Sequence, residues 1–230
     1  MQQPKYNIYP SLLDAFTWYK KSENPEAKLE LVNRINRVPF QSDAVDKGTA
    51  FNELVDDFGV LKVDKTKPGI IKYAGFEFEE NIINEFKKEV AGAIPQQKVE
   101  ALIETQMGLV FIYGYADEIL GDNCIDLKTT NKYEFPKFLH NWQHIVYPYC
   151  LNKMGIECNN FTYLITDFKD IYKEDYQFDG WNSIMKLNDA LCEFIFFLET
   201  NKELITDTKI FGNQESIEIY NHNLGKGVVL

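Results

Sequence analysis

Near Gln97 the apolar residues change their spacing, and that change limits the folds open to this chain. Upstream they recur at helical spacing. Leu12, Leu13, Phe16 and Tyr19 mark a helix to about Lys21, opened by Pro10 and Ser11, with Ser11 as cap and Asp14 in capping-box position. Ala50, Phe51, Leu54, Val55 and Phe58 mark a second helix over 46–58, and Phe78, Ile82, Ile83, Phe86 and Val90 a third over 76–90. From Lys98 the period drops to two, so 98–104 is expected as a half-buried strand. The nearly continuous apolar run over 109–115 fits a central strand. After the turn at Gly121, Asp122 and Asn123, residues 124–129 make a third strand. Tight turns between the three predict an antiparallel meander.

Helical spacing returns over 136–154 through Phe138, Leu139, Trp142, Ile145, Val146 and Tyr149, with Pro148 as a kink or weakened end. Strands are expected over 160–166 and 171–178, a long helix over 181–200 and a short strand over 216–220. The segment between the first two helices, rich in Asn, Pro and charge, and residues 65–69 read as loops. No repeat or linker divides the chain, so residues 1–230 are expected to form one domain. Helix, three strands, helix and strand in that order predict an α/β fold with a central mixed sheet flanked by helices.

Composition narrows the function classes. With 45% hydrophobic and 14% aromatic residues the chain is built to fold rather than stay disordered. No apolar run approaches the roughly 20 residues of a membrane helix, and the first residues hold no signal-like apolar stretch. The expected location is the cytoplasm, with no membrane partner. The four cysteines lack Cys-x-x-Cys or zinc-finger spacing, which predicts reduced thiols and no iron–sulfur cluster. A net charge of −11 argues against a broad basic face for nucleic acid. Any such contact should be local and assisted by cations.

One constellation carries chemistry. Asp126 and Lys128 alternate with Ile125 and Leu127, so the polar pair shares one face of its strand and the apolar pair the other. Asp117 sits near the end of the preceding strand, which the Gly121 turn folds back alongside. Two carboxylates brought together are costly without a cation. With Mg²⁺ or Mn²⁺ they would set a hard ion against a phosphate oxygen. The trio taken alone reads more readily as an exposed ion pair on a sheet edge than as a site.

Gly114-Tyr115-Ala116-Asp117, then Asp126-Leu127-Lys128-Thr129, then Gln143-His144-Ile145-Val146-Tyr147 resemble, in order, the motifs of the PD-(D/E)XK nucleases. Within that superfamily they resemble the RecB-like group that includes phage recombination exonucleases. Tyr9 to Leu13 is similar to the group's first helix start, and Gly48-Thr49-Ala50-Phe51-Asn52 to its Gly-x-x-x-His helix, with Asn52 in place of the histidine.

The resemblance implies a restriction-endonuclease-like αβββαβ core and hydrolysis of DNA phosphodiesters, as an exonuclease in recombination, repair or phage DNA metabolism. It implies metal bound by Asp117, Asp126, the Leu127 carbonyl and Asn52, with Glu53 as a substitute for Asn52. It implies catalysis by Asp117, Asp126, Lys128 and Gln143, substrate contacts from Gln143, Tyr147 and Thr129, and a recombination or repair protein as partner. The rival is a catalytically inactive nuclease-fold protein acting in nucleic-acid binding or assembly, which the acidic charge and Asn52 favour. Glu104, Lys132 and Lys137 are secondary candidates, and His140, His144 and His222 are expected to be non-catalytic.

Overall fold

The computed structural model describes residues 3–56 and 63–212. The three strands expected after Gln97 form the meander β5 (Ile94–Thr105), β6 (Gly108–Leu120) and β7 (Asn123–Thr129). They are preceded by β1 (Tyr6–Ile8), α1 (Pro10–Lys21), α2 (Ala27–Ile35), α3 (Asp43–Asp56), β2 (Asp64–Lys67), β3 (Ile70–Tyr73), β4 (Phe76–Glu79) and α4 (Glu80–Glu89). They are followed by α5 (Gln143–Lys153), β8 (Asn160–Thr166), β9 (Ile171–Gln177), α6 (Gly180–Thr200) and two short 3-10 turns.

The main sheet is mixed. β6 pairs antiparallel with β5 along nearly its whole length. On its other edge it pairs parallel with β1 at one end and antiparallel with β7 at the other. β7 pairs parallel with β8, and β8 antiparallel with β9. One face packs on α1, α5 and α6 through Ile8, Leu12, Phe16, Ile112, Val146, Phe161 and Phe194. The other packs on α3 and α4 through Phe51, Leu54, Ile83, Phe86, Ile125, Leu127 and Leu164. The result is the expected α/β fold, a mixed sheet between helices, consistent with a restriction-endonuclease-like core.

Several expectations need correction. Residues 76–79 form a strand, not the first turn of a helix. Pro68 and Gly69 (φ 73°), then Ala74 and Gly75 (φ 49° and 88°), make two hairpin turns, giving the small sheet β2–β3–β4 where a loop and a helix were expected. Phe78 fits both periods, and the turn residues decide between them. The supposed loop after α1 holds α2, whose Leu31, Val32 and Ile35 are buried beneath a charged outer face. Helix α5 begins at Gln143 rather than 136, because Asp14 and Glu174 take the backbone N–H groups of the preceding segment. Pro10, not Ser11, starts α1 at its first turn, and Ser11 lies inside the helix. The second expected helix starts at Asp43, three residues early. Its end at Phe58, the strand over 216–220 and His222 lie outside the described residues.

Candidate active site

The site lies where β6 and β7 part. Their ladder runs from Leu120–Asn123 to Glu118–Ile125 and stops before Asp117 and Asp126. Instead of a backbone partner, the Leu127 N–H donates to Asp117 Oδ2 at 2.9 Å. A kink lies beside the parting: Gln96, opposite Asp117, has φ 49°, and that pair drops out of the β5–β6 ladder. A left-handed, non-glycine residue is uncommon, and such strain gathers at functional sites. Asp117 is thus inside a strand that continues to Leu120, at its bend rather than at its end.

On β7 the alternation holds. Ile125 and Leu127 enter the α3/α4 core. Asp126, 1% exposed, turns to the opposite face, where Gln143 Nε2 donates to its Oδ1 at 2.6 Å and the Lys128 ammonium pairs with its Oδ2. Gln143 is the first residue of α5, so the helix start aims it at the carboxylate.

Electrostatics follow from burial. Desolvation raises both Asp117 and Asp126 above the ordinary carboxylate range, with Lys128 opposing the rise in each and the mutual repulsion of the aspartates adding to that of Asp126. Burial works against the Lys128 charge, but the two aspartates outweigh it and hold its pKa above the ordinary value. Lys128 is therefore an ammonium here, a donor and a counter-charge.

The remaining candidates separate. Gly48 passes so close to Thr129 that a Cβ would stand 2.8 Å from its Oγ1, which docks α3 on the end of β7. Asn52, half-buried one turn later, has a buried Oδ1 with no hydrogen-bond partner among the described residues. Glu53 is engaged elsewhere, accepting from the Tyr73 hydroxyl at 2.7 Å. Tyr147 is buried against Gly114, where a Cβ would meet its ring at 2.6 Å. Glu104 is exposed at the end of β5, opposite Leu109. Lys132 is exposed, and Lys137 Nζ donates to the Lys132 carbonyl at 2.7 Å. His140 is exposed, while burial keeps His144, stacked on Tyr176, neutral with a pKa near 4.

Three residues near the site escaped the sequence reading. Asp14 accepts the Trp142 N–H at 2.7 Å, capping α5 from α1, and burial pushes its pKa to about 6. Gln96 donates to Asp56 Oδ2 at 3.0 Å and hydrogen-bonds Asp117. Glu118, 3% exposed, carries its carboxyl close enough to that of Asp56 for the two to interact. Burial first, then the Asp56 charge, pushes Glu118 to about 7. No spacing rule marks Gln96 or Glu118. Asp14 was visible, but its capping-box position assigned it to the wrong helix.

No family model and no curated protein matches this chain. Among solved structures it is similar to a protein of Eubacterium rectale described as a "putative exonuclease", with TM-score 0.56 and 14% identity over 95% of this chain and 88% of that one. It also matches the structure called SSO0001, with TM-score 0.47 and 11% identity over 84% and 78% of the two chains. The first likeness supports the fold. No helix among the described residues is long and apolar enough to cross a membrane.

Proposed function

We propose that this chain is a metal-dependent nuclease of the PD-(D/E)XK superfamily that hydrolyses DNA phosphodiester bonds, acting as an exonuclease in recombination, repair or phage DNA metabolism. The observation that carries the reading is the assembly of Asp117, Asp126 and Lys128 at the parting of β6 and β7, with Gln143 hydrogen-bonded to Asp126. The fold-level likeness to a "putative exonuclease" supports it. The motif order Gly48–Asn52, Gly114–Asp117, Asp126–Thr129 and Gln143–Tyr147 supports it independently.

The donor set fits a hard cation. It is made of oxygens, its two carboxylates are destabilised by burial, and Asn52 Oδ1 is buried without a partner. Among the described residues no three His, Cys, Asp or Glu form a ready cage. Mg²⁺ does not need one, since it keeps several waters and takes one or two carboxylates. Asp117, Asp126, the Leu127 carbonyl and Asn52 would hold Mg²⁺ or Mn²⁺. When bound, such an ion supplies Lewis-acid stabilisation of phosphoryl charge and a more acidic water.

The chain's own groups do the rest. Lys128, held as an ammonium, donates to negative charge that grows on the phosphoryl oxygens. Gln143 fixes the Asp126 carboxylate and offers its amide to the substrate. Thr129 and Tyr147 border the site and contact the strand.

The test is incubation with linear and circular, single- and double-stranded DNA in Mn²⁺, Mg²⁺ or EDTA. Cleavage in Mn²⁺ or Mg²⁺ that EDTA stops is expected, with linear DNA degraded and circular DNA left intact. Asn52 and the net charge of −11 favour a second reading, a nuclease fold that binds DNA without cutting it. DNA binding without cleavage in any metal would support that reading and contradict ours.

A further inference from the structure

The edge of β6 has a gap. β1 pairs with it as far as Ile112 and β7 only from Glu118, so residues 113–117 have no strand partner on that edge among the described residues. A groove of about 380 Å³ opens there, lined by Tyr9, Arg37, Tyr113, Gly114, Tyr115 and Tyr147. Its lining includes Tyr113, Gly114 and Tyr115, which precede Asp117 on the same strand, and Tyr147 lies one helical turn from Gln143. From this we infer that the groove binds an unpaired nucleotide of the substrate strand, so that the enzyme takes single-stranded DNA or a frayed end. The inference rests on the nuclease reading and names its substrate class.

The chemistry of the lining supports that occupant. Bases stack on aromatic faces in unpaired strands, whereas a duplex keeps those faces within its own stack. Tyr115 is 57% exposed. The Tyr9 and Tyr113 rings stand 5.8 Å apart, and Tyr113 is itself stacked on Phe111 at 5.5 Å, so the wall is braced. The groove is at the small end of ligand sites, suited to one nucleotide and not to a duplex.

A cation is supplied for the phosphate. The chain has two arginines, Arg34 and Arg37. Arg37 lines this groove, and Arg34 lines the adjoining cleft, which shares Ser11 with it. Asp207 holds Arg37 Nε at 2.7 Å, and the guanidinium lies 6.0 Å from the centre of the Tyr9 ring, leaving its side chain 47% exposed. Asn36 pins the same Asp207 segment by accepting from the Thr206 N–H at 2.8 Å. In so acidic a chain, a fixed planar donor suited to phosphate is a local exception.

Fluorescence anisotropy in Ca²⁺ tests this with three probes: a labelled single-stranded DNA, the same strand bearing abasic sites, and a blunt duplex. The single strand should bind tightest, and removing the bases should weaken it about ten-fold or more. Tyr115→Ala should weaken the base-bearing strand by a similar factor and abolish its advantage over the abasic strand. Arg37→Ala should weaken both strands alike. Equal binding of abasic and base-bearing strands, a blunt duplex bound as well as the single strand, or no binding of any probe would overturn the inference. If the protein cleaves DNA in Mn²⁺ but shows no base dependence, the groove assignment falls and the nuclease reading stands. If base-dependent binding through Tyr115 occurs without cleavage in Mn²⁺ or Mg²⁺, the nuclease reading falls and the groove assignment stands.

Discussion

Two glycines of the sequence motifs have a steric explanation. A Cβ at Gly114 would stand 2.6 Å from the Tyr147 ring, a carbon buried in the core and unable to withdraw freely. Gly114→Ala should therefore destabilise the protein by about 1–3 kcal/mol, read as a lower denaturant midpoint, and reduce activity by displacing α5 and Gln143. An unchanged midpoint would show that Tyr147 is not fixed there. At Gly48 the neighbour is a threonine hydroxyl 2.8 Å away, so the end of β7 is positioned by contact with α3. The sequence motif marked both glycines, but it could not say which side chains fill the space.

At the scale of elements, the segment between β7 and α5 is held by carboxylates from elsewhere in the chain. Glu174 on β9, 1% exposed, accepts the Lys137 N–H at 2.7 Å, the Phe138 N–H at 3.1 Å and the Tyr176 hydroxyl at 2.6 Å. Asp14 on α1 caps α5 through the Trp142 N–H, and Thr17 accepts from the Trp142 indole at 2.8 Å. Glu174→Ala leaves three part-buried donors without their acceptor and should cost about 1–3 kcal/mol. Asp14→Ala should cost about 1 kcal/mol through the lost cap and lower kcat by loosening Gln143. Chemical denaturation and steady-state kinetics measure both.

These contacts explain what the sequence could and could not convey. The strands of the meander, the long α6 and the Asp126/Lys128 face follow from local period, so they were legible. The start of α5 depends on groups 36 and 128 residues away, which no window along the chain contains. Three-residue β1 is too short to show a period, and the apolar stripe of α2 is diluted by charge. At the site, Asp117, Asp126, Lys128 and Gln143 were named from motif order. Gln96 and Glu118 enter through the fold: Gln96, at a left-handed kink in β5, hydrogen-bonds Asp56 and Asp117, and the Glu118 carboxyl lies near that of Asp56.

Across the whole molecule, buried acids set the response to pH. Asp117, Asp126, Glu118 and Asp14 all have folded-state pKa values raised by burial. The fold thus favours their protonated forms. Their stabilising contribution is complete below the ordinary carboxylate range and is lost as pH rises through their raised values, up to about 7 for Glu118. Metal-free protein should show a falling Tm between about pH 4 and about pH 7 from these groups. Added Mn²⁺ should raise Tm strongly above that window and little below it, where protonated carboxyls bind cations poorly. Thermal scans with and without Mn²⁺ measure this, and a metal effect independent of pH would contradict it.

The central claim is that Asp117, Asp126 and Lys128 act as one hydrolytic centre. The most direct measurement is cleavage of linear DNA in Mn²⁺ by the wild type, Asp126→Asn and Lys128→Ala, with circular dichroism confirming that each is folded. Asp126→Asn retains an acceptor for Gln143 and removes the charge. We predict cleavage by the wild type and a loss of at least about a hundred-fold in each folded variant. Undiminished cleavage by either variant, or none by the wild type, would contradict the account.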